Sequence, residues 1–412
     1  MQYNETVEIR GHLMDSGVLA RVLDDVLGYG GDYRIDRLDL GREHDDESSA
    51  RITVGGSDPE QLDRILMRIQ THGVNQVDPG VAVTKPAPTD GVFPDDFYST
   101  TNLQTLVRLN GSWVEVEHPE MDCGLQVVSP GHVRTIPVSD VHAGDAIVCG
   151  AGGVKVVLPE KVADADGHTF EFMSSTVSSE KPQALLVRQV AEQMREVKAA
   201  GKKILWVGGP AIVHTGAAPA MVALVEHGYV DVLFAGNALA THDIEASLFG
   251  TSLGVDLQKG SGVPHGHEHH IRAINKIRGC GSIAAAVSSG VLTGGVMHAM
   301  VQAGKQFVLV GSVRDDGPLP DVYTDVIEGQ RAMRAALPGV GFAIMVATML
   351  HSIATGNILP ASVPLVSVDI NPATVTKLVD RGSAQAVGVI TDIGLFLEQL
   401  ATELAPGYRA GW

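Results

Sequence analysis

Asn237, His242, Asp243 and Glu245 follow directly on the apolar run Val230 to Ala235 and on Gly236, so an amide, an imidazole and two carboxylates gather just past what reads as a buried strand. Such groups can hold an ammonium, move a proton and orient a polar ligand. Short apolar runs that end in glycine and lead into helix-forming sequence describe a parallel sheet, whose ligands lie outside the carboxyl ends of its strands. Position and residue type together point to chemistry more than to packing.

Other segments offer related groups. Val310-Gly311-Ser312-Val313-Arg314-Asp315-Asp316 leaves an apolar run with a cation beside two acids. Arg314 there fits either a two-pronged clamp on a carboxylate or an ordinary surface ion pair. The β-branched run ending at Asp369 matches sites where a carboxylate binds ribose hydroxyls, and the competing reading is a helix cap by Asp369 or Asn371 ahead of Pro372. Thr391-Asp392-Ile393-Gly394 repeats that theme. Gly341 to Leu350 reads as an apolar helix-like run in which Thr348 and His351 either bond within the core or face a cofactor.

His265-Gly266-His267-Glu268-His269-His270 has the composition of a metal box, yet lacks the paired spacing of a zinc-binding helix. It is read as polar loop residues near an anionic ligand or as a hydrogen-bonded histidine cluster, and no metal is assigned to it. Gly208-Gly209-Pro210 and the turn from Ser289 to Gly295 are glycine-rich without the G-x-G-x-x-G spacing. Lys155, Glu180 and Lys181 are further candidates if burial moves their proton affinity toward neutrality.

The elements that must position these groups fall into three stretches. Residues 1–95 read strand, helix, strand, strand, helix, strand: Thr6–Ile9, Gly17–Leu27, Tyr33–Leu40, Ser49–Val54, Pro59–His72 and Gly73–Val83. That is the order of a ferredoxin-like α+β module. Lys85 to Thr100, broken by prolines, reads as a connector. Residues 96–177 form a β-rich subdomain of short strands punctuated by glycine and proline. Residues 178–412 alternate helix with the apolar runs Lys203–Gly208, Val230–Ala235, Ser282–Val287 (strand, with a helical reading open), Gln306–Val310, Pro364–Asp369 and Ala386–Ile390, a doubly wound α/β domain.

A chain of 412 residues exceeds the size of one core, and its 44% apolar content supplies several. A net charge of -18, from 30 basic against 48 acidic residues, argues against nucleic acid or an anionic membrane as partner. Cys123, Cys149 and Cys280 are too few and too scattered for a disulfide framework, and no segment reads as a leader or a membrane span. A cytoplasmic protein acting on a small molecule is expected.

Several long motifs together resemble one family. They are Phe172-Met173-Ser174-Ser175, Ser178-Ser179-Glu180-Lys181-Pro182, Val213-His214-Thr215-Gly216, the stretch from Gly236 to Glu245, Phe249-Gly250-Thr251-Ser252-Leu253-Gly254, Ser312 to Asp321, Ala347 to Asn357 and Val368 to Pro372. With the amino-terminal module and Met121-Asp122-Cys123-Gly124, the resemblance covers essentially the whole chain, and it is to the archaeal-type, NAD-dependent ornithine cyclodeaminases. The same domain occurs in bifunctional lysine-ketoglutarate reductase/saccharopine dehydrogenase proteins. The carboxyl-terminal half also resembles the deoxyhypusine-synthase-like NAD-binding fold, which implies a dinucleotide site without the usual fingerprint.

By that resemblance NAD contacts Asn237, Ala238, Asp316, Thr348, Met349, Leu350, His351, Asp369, Asp392 and Ile393. The implied reaction turns ornithine into proline and ammonia, with NAD taking a hydride and giving it back. Arg314 is assigned to the substrate carboxylate, Asp243 or Glu245 to an ammonium, and His242 or His351 to proton transfer. Two alternatives are an NAD-dependent amino-acid or saccharopine-type oxidoreductase and a non-catalytic NAD or amino-acid sensor. A homo-oligomer is expected.

Overall fold

The computed structural model describes residues 3–11, 13, 17–41, 46, 48–158, 183–253, 255–256, 268–315, 317–381 and 386–409. The chain divides into two compact units, the first made of Met1–Ser174 with Asn357–Ser362 and the second of the remainder.

The first unit opens with β1 (Tyr3–Gly11), α1 (Val18–Gly28), β2 (Asp32–Asp39), β3 (Ser48–Gly56), α2 (Pro59–Gln70) and β4 (Asn75–Gln76). Its sheet order, β2-β3-β1-β4 with every pair antiparallel, is that of the ferredoxin-like sandwich. Alternate residues Val7, Ile9, Ile52 and Val54 are buried against Val22 and Val26 of α1 and Ile65 and Ile69 of α2. Helix α2 starts where the sequence places it: Asp58 accepts the Gln61 amide at 2.7 Å and Pro59 fills the first turn. Of the last expected strand, Gly73–Val83, only Asn75–Gln76 pair in this sheet, while Val83 opens a strand of the next one.

A second sheet follows, with β5 (Val83–Pro86), β6 (Gln104–Leu109), β7 (Ser112–Glu117), β8 (Gly124–Ser129), β9 (His132–Ile136), β10 (Ala146–Cys149) and β11 (Val154–Val157) in the order β11-β6-β7-β9-β8-β10-β5. Strand β5 takes up only the first two residues, Lys85 and Pro86, of the stretch read as connector, Lys85 to Thr100. It is exposed on both faces, so no apolar alternation marks it, and its proline is tolerated because β5 lies at the sheet edge.

The second unit contains α3 (Gln183–Ala199), β12 (Lys203–Gly208), α4 (Ala211–His214), α5 (Ala218–Glu226), β13 (Val232–Gly236), α6 (Asn237–Phe249) and the small hairpin β14 (Thr251–Ser252) and β15 (Val255–Asp256). Then come α7 (His269–Cys280), α8 (Ile283–Ser288), α9 (Val296–Gln302), β16 (Gln306–Val310), β17 (Val322–Tyr323), α10 (Val326–Ala336) and β18 (Val340–Val346). The chain finishes with α11 (Leu350–Ile358), β19 (Leu365–Asp369), α12 (Pro372–Arg381), β20 (Ala386–Ile390) and α13 (Ile393–Leu404).

Among the described residues the large sheet has seven strands, all parallel, in the order β17-β16-β13-β12-β18-β19-β20. From β12 the chain winds outward through β13 and β16, then returns to β18 on the other side of β12 and winds the opposite way. The carboxyl ends of β12 and β18 therefore flank the topological switch point, where such sheets open a crevice for ligands.

Two sequence readings change here. Ser282–Val287 is helical, as α8, with Ser282 capping it by accepting the Ala285 amide at 3.0 Å. Gly341 to Leu350 is not one helix; it is strand β18 and a turn, and α11 begins at Leu350. Strand β18 is largely buried on both faces and α8 is only six residues long, so periodicity cannot separate helix from strand in either. Among the described residues no helix is long and apolar enough to cross a membrane.

Candidate functional site

Helix α6 starts at the carboxyl end of β13 and buries five polar side chains: Asn237, Thr241, His242, Asp243 and Glu245. Buried polar groups need partners, and all five have them: His242 with Glu245, Thr241 with Asn237, and Asp243 with the start of α9. Ala238, His242 and Glu245, spaced by four and three residues, lie along one stripe of the helix.

Glu245 is fully buried, and its carboxylate is the hub of that stripe. His242 Nδ1 lies 2.9 Å from Oε2, the Thr251 hydroxyl donates to Oε1 at 2.9 Å, and the Leu253 amide donates to Oε2 at 3.3 Å. Thr251 Oγ1 in turn stands 2.8 Å from Nδ1 of His269. A carboxylate only accepts, so His242 Nδ1 carries the proton and Nε2 is left as the basic atom. His214, at the end of α4, places Nδ1 2.6 Å from Ser252 Oγ, with its ring 4.9 Å from that of His242; the His270 ring is 6.5 Å away.

Burial, and then the neighbouring His242, holds His214 below the ordinary imidazole range. Burial does the same to His351, against the opposing pull of its bond to Val310 and of Asp315. In both rings the neutral form is favoured.

Backbone walls the crevice at the switch point. A Cβ on Gly209, after β12, would lie 1.9 Å from the carbonyl oxygen of Ala347, after β18, so only glycine allows these two turns to meet. Ala347 itself has φ 53°, a left-handed conformation rarely taken outside glycine. Thr348 is half-buried beside this contact, whereas Met349 and Leu350 are exposed. A Cβ on Gly236 would meet His351 Cε1 at 3.2 Å, which places that imidazole against the start of α6.

At the ends of neighbouring strands, Asp369 accepts the Asn371 amide at 2.8 Å on Oδ1, and Asn371 accepts the Ala373 amide at 3.0 Å. The helix cap is thus Asn371, and among the described residues Asp369 Oδ2 has no hydrogen-bond partner. Asp392 is exposed and caps α13 through the Leu395 amide at 2.9 Å, with Ile393 buried behind it. Asn237 Oδ1 accepts from the Leu319 amide at 3.0 Å and from Thr241 at 3.3 Å, leaving its amide nitrogen as a donor.

Asp243 departs from the role of an ammonium partner. It points away from the His242 stripe, and its two oxygens accept the Val296 and Met297 amides at 2.8 Å each, anchoring the start of α9. Gly295 makes this approach possible: its φ is 92°, and a Cβ there would stand 2.7 Å from the carboxylate. Burial raises the Asp243 pKa from 3.8 to about 6, with the two amide bonds opposing the shift. A carboxyl raised in this way stabilises the fold at pH below its unfolded value, and that contribution is lost as pH climbs through its folded value.

Asp243→Asn mispairs one amide and is expected to cost about 1–3 kcal/mol of stability. Because the variant does not titrate, urea denaturation should show a wild-type advantage that shrinks between pH 3.8 and about 6. A gap independent of pH would show that Asp243 does not titrate in that range.

Arg314 is exposed on the turn after β16, its amide 3.3 Å from Ser312 Oγ, while Asp315 folds back to accept the Ser312 amide at 2.9 Å. Lys155 is exposed on β11. Asp316, Glu180, Lys181 and the part of the histidine-rich run from His265 to His267 lie outside the described residues. Among the described residues no group of three or more His, Cys, Asp or Glu side chains is placed to hold a metal ion. The partners that sequence reasoning missed are His214, Thr251, Ser252 and His269 around Glu245. All lie in segments the sequence singled out, but no linear spacing ties them to that carboxylate.

Comparison with known proteins agrees with this layout. Residues 4–103 match the conserved region of LOR/SDH bifunctional enzymes, residues 104–187 match the first region of the C-terminal part of ArgZ-like arginine dihydrolases, and residues 188–400 match the Rossmann fold of that part. The ornithine cyclodeaminase of Methanothermobacter thermautotrophicus is 52% identical over 400 residues, 97% of either chain.

The solved structure of ArgZ, an arginine dihydrolase from the ornithine-ammonia cycle in cyanobacteria, matches with a TM-score of 0.84 at 36% identity, over 98% of this chain and 58% of that one. The ternary complex of AgrE with ornithine and NAD+ matches with a TM-score of 0.53 at 40% identity, over 98% of this chain and 57% of that one. On this identity and coverage, the chain belongs to the ornithine cyclodeaminase family that carries the LOR/SDH conserved region at its amino end.

Proposed function

We propose that this protein converts L-ornithine to L-proline and ammonia, using NAD as a hydride carrier that is regenerated in each turnover. One observation carries the reading: in a chain 52% identical to an ornithine cyclodeaminase, a buried imidazole-carboxylate pair, His242 and Glu245, lies on the helix that leaves β13, next to the switch-point strand β12. The residues there fit a dinucleotide.

Asp369, with Oδ2 open, would hold ribose hydroxyls; Asn237, Ala238, His351 and Thr348 to Leu350 line the ends of β13 and β18, and Asp316, Asp392 and Ile393 complete the set. When bound, NAD would supply the acceptor and then the donor of one hydride, leaving no net redox change.

The chain's own groups handle protons and position. An ammonium cannot expel hydride, so the α-amine must first be neutral, and His242 Nε2 takes its proton while Glu245 fixes the ring and stabilises the resulting imidazolium. His351, neutral and set against Gly236, is the second proton-transfer group. Arg314 meets the substrate carboxylate, and Asp243 positions α9 without touching substrate. The buried cysteines Cys123 and Cys149 suit a reducing cytoplasm, and the enzyme works as a homo-oligomer.

Incubation with ornithine and substoichiometric NAD is expected to yield proline and ammonia in equal amounts, far exceeding the NAD added, with no lasting absorbance from NADH. Accumulating NADH would favour an amino-acid oxidoreductase, and binding without ammonia release would favour a sensor.

A further inference from the structure

We infer that the free edge of β2 is the contact through which two copies of this chain join, in antiparallel register about a two-fold axis passing between Asp36 and Arg37. Among the described residues strand β2 ends its sheet and pairs only with β3, so its outer backbone groups have no partner in that sheet. Ile35, Leu38 and Leu40 are 40%, 41% and 49% exposed, and Leu27 of α1, the helix packed against β2, is 53% exposed. This is a large apolar content for an edge otherwise made of charges.

Register and bulge make the edge self-complementary. Tyr33, Ile35 and Leu38 pair with buried Val54, Ile52 and Ala50 and so lie on the helix-covered face; Arg34, Arg37 and Asp39 pair with Thr53, Arg51 and Ser49 and lie on the open face. The bulge between Ile35 and Arg37 leaves Asp36 on the open face as well, bonded to Thr53. Reading outward from the midpoint, the faces run open, helix, open in both directions. A regular strand cannot be symmetric about a point between two residues, since opposite residues would then face opposite ways. The bulge removes that obstacle.

In this register Arg34 stands opposite Asp39 of the second copy, Ile35 opposite Leu38, Asp36 opposite Arg37 and Tyr33 opposite Leu40. Every charge meets its opposite and every apolar residue an apolar one, twice over by symmetry. Existing pairs within the strand, Arg34 with Asp36 at 2.7 Å and Arg37 with Asp39 at 2.6 Å, become parts of a continuous alternating row.

The test uses the full chain and sedimentation velocity. Arg34→Asp sets a carboxylate against Asp39 of the second copy, and Asp39→Arg sets a guanidinium against its Arg34; both sites are exposed, so folding is spared. Each variant alone is expected to raise the dissociation constant of this contact by at least about tenfold. An equal mixture of the two should recover the wild-type mass, because a mixed pair is complementary at both ends. A wild-type chain that sediments as a 43.4 kDa monomer overturns both this contact and the homo-oligomer proposed above. An oligomer indifferent to both substitutions, or a mixture that fails to recover, overturns the contact alone.

Discussion

Glu245→Gln is expected to lower turnover by about 10²- to 10⁴-fold, the usual contribution of positioned acid-base catalysis, while NAD binding changes little. The amide keeps the shape of the side chain but not its charge, so it cannot stabilise an imidazolium on His242. It also must present an NH₂ group where Thr251 or His242 now donates. His242→Ala should be about as damaging. If the two residues act as one unit, the double variant should be scarcely worse than either single one. Stopped-flow measurement of the first hydride transfer, alongside calorimetric titration with NAD, separates this from general damage. Turnover within threefold of wild type for Glu245→Gln would remove the pair from the mechanism.

The second large effect is expected at Gly209. A methyl group there would stand 1.9 Å from the Ala347 oxygen and 3.2 Å from Thr348 Cβ, and the obstacle is backbone that cannot rotate aside. Gly209 also donates its amide to the Val346 oxygen at 3.0 Å, so the turn is tied to β18 as well as crowded by it. Gly209→Ala must part the turns after β12 and β18, at about 1–3 kcal/mol of overpacking strain. If NAD lies across that crevice, its affinity should fall at least about tenfold, since about 1.4 kcal/mol of misfit suffices. Thermal unfolding and NAD titration on the same preparation provide the check. Loss of stability with unchanged NAD affinity would place the cofactor elsewhere.

Much of this site was legible in the linear chain because it depends on short-range rules. Asn237, His242 and Glu245 follow a glycine that ends an apolar run, which marks them in the chain, whereas the 2.9 Å pairing of His242 with Glu245 was not read from the sequence. The ferredoxin-like order of the amino-terminal module was readable for the same reason: β1 and both helices bury one face, and the periodicity reports it. Strand β18 escaped because a strand buried on both faces loses its period, and helix α8 because six residues are too few to show one.

The sequence by itself determined which residue types stand at the carboxyl ends of the parallel strands and what chemistry they can carry. Only the tertiary structure decided how those residues divide the work. Asp243 and Glu245 are two positions apart on one helix, yet one faces amides more than 50 residues away at the start of α9 and the other a histidine, a threonine and a small hairpin. A helix turns about 100° per residue, so neighbours in sequence face different surroundings. What meets each face is set by loops whose closure leaves no periodic trace in the chain.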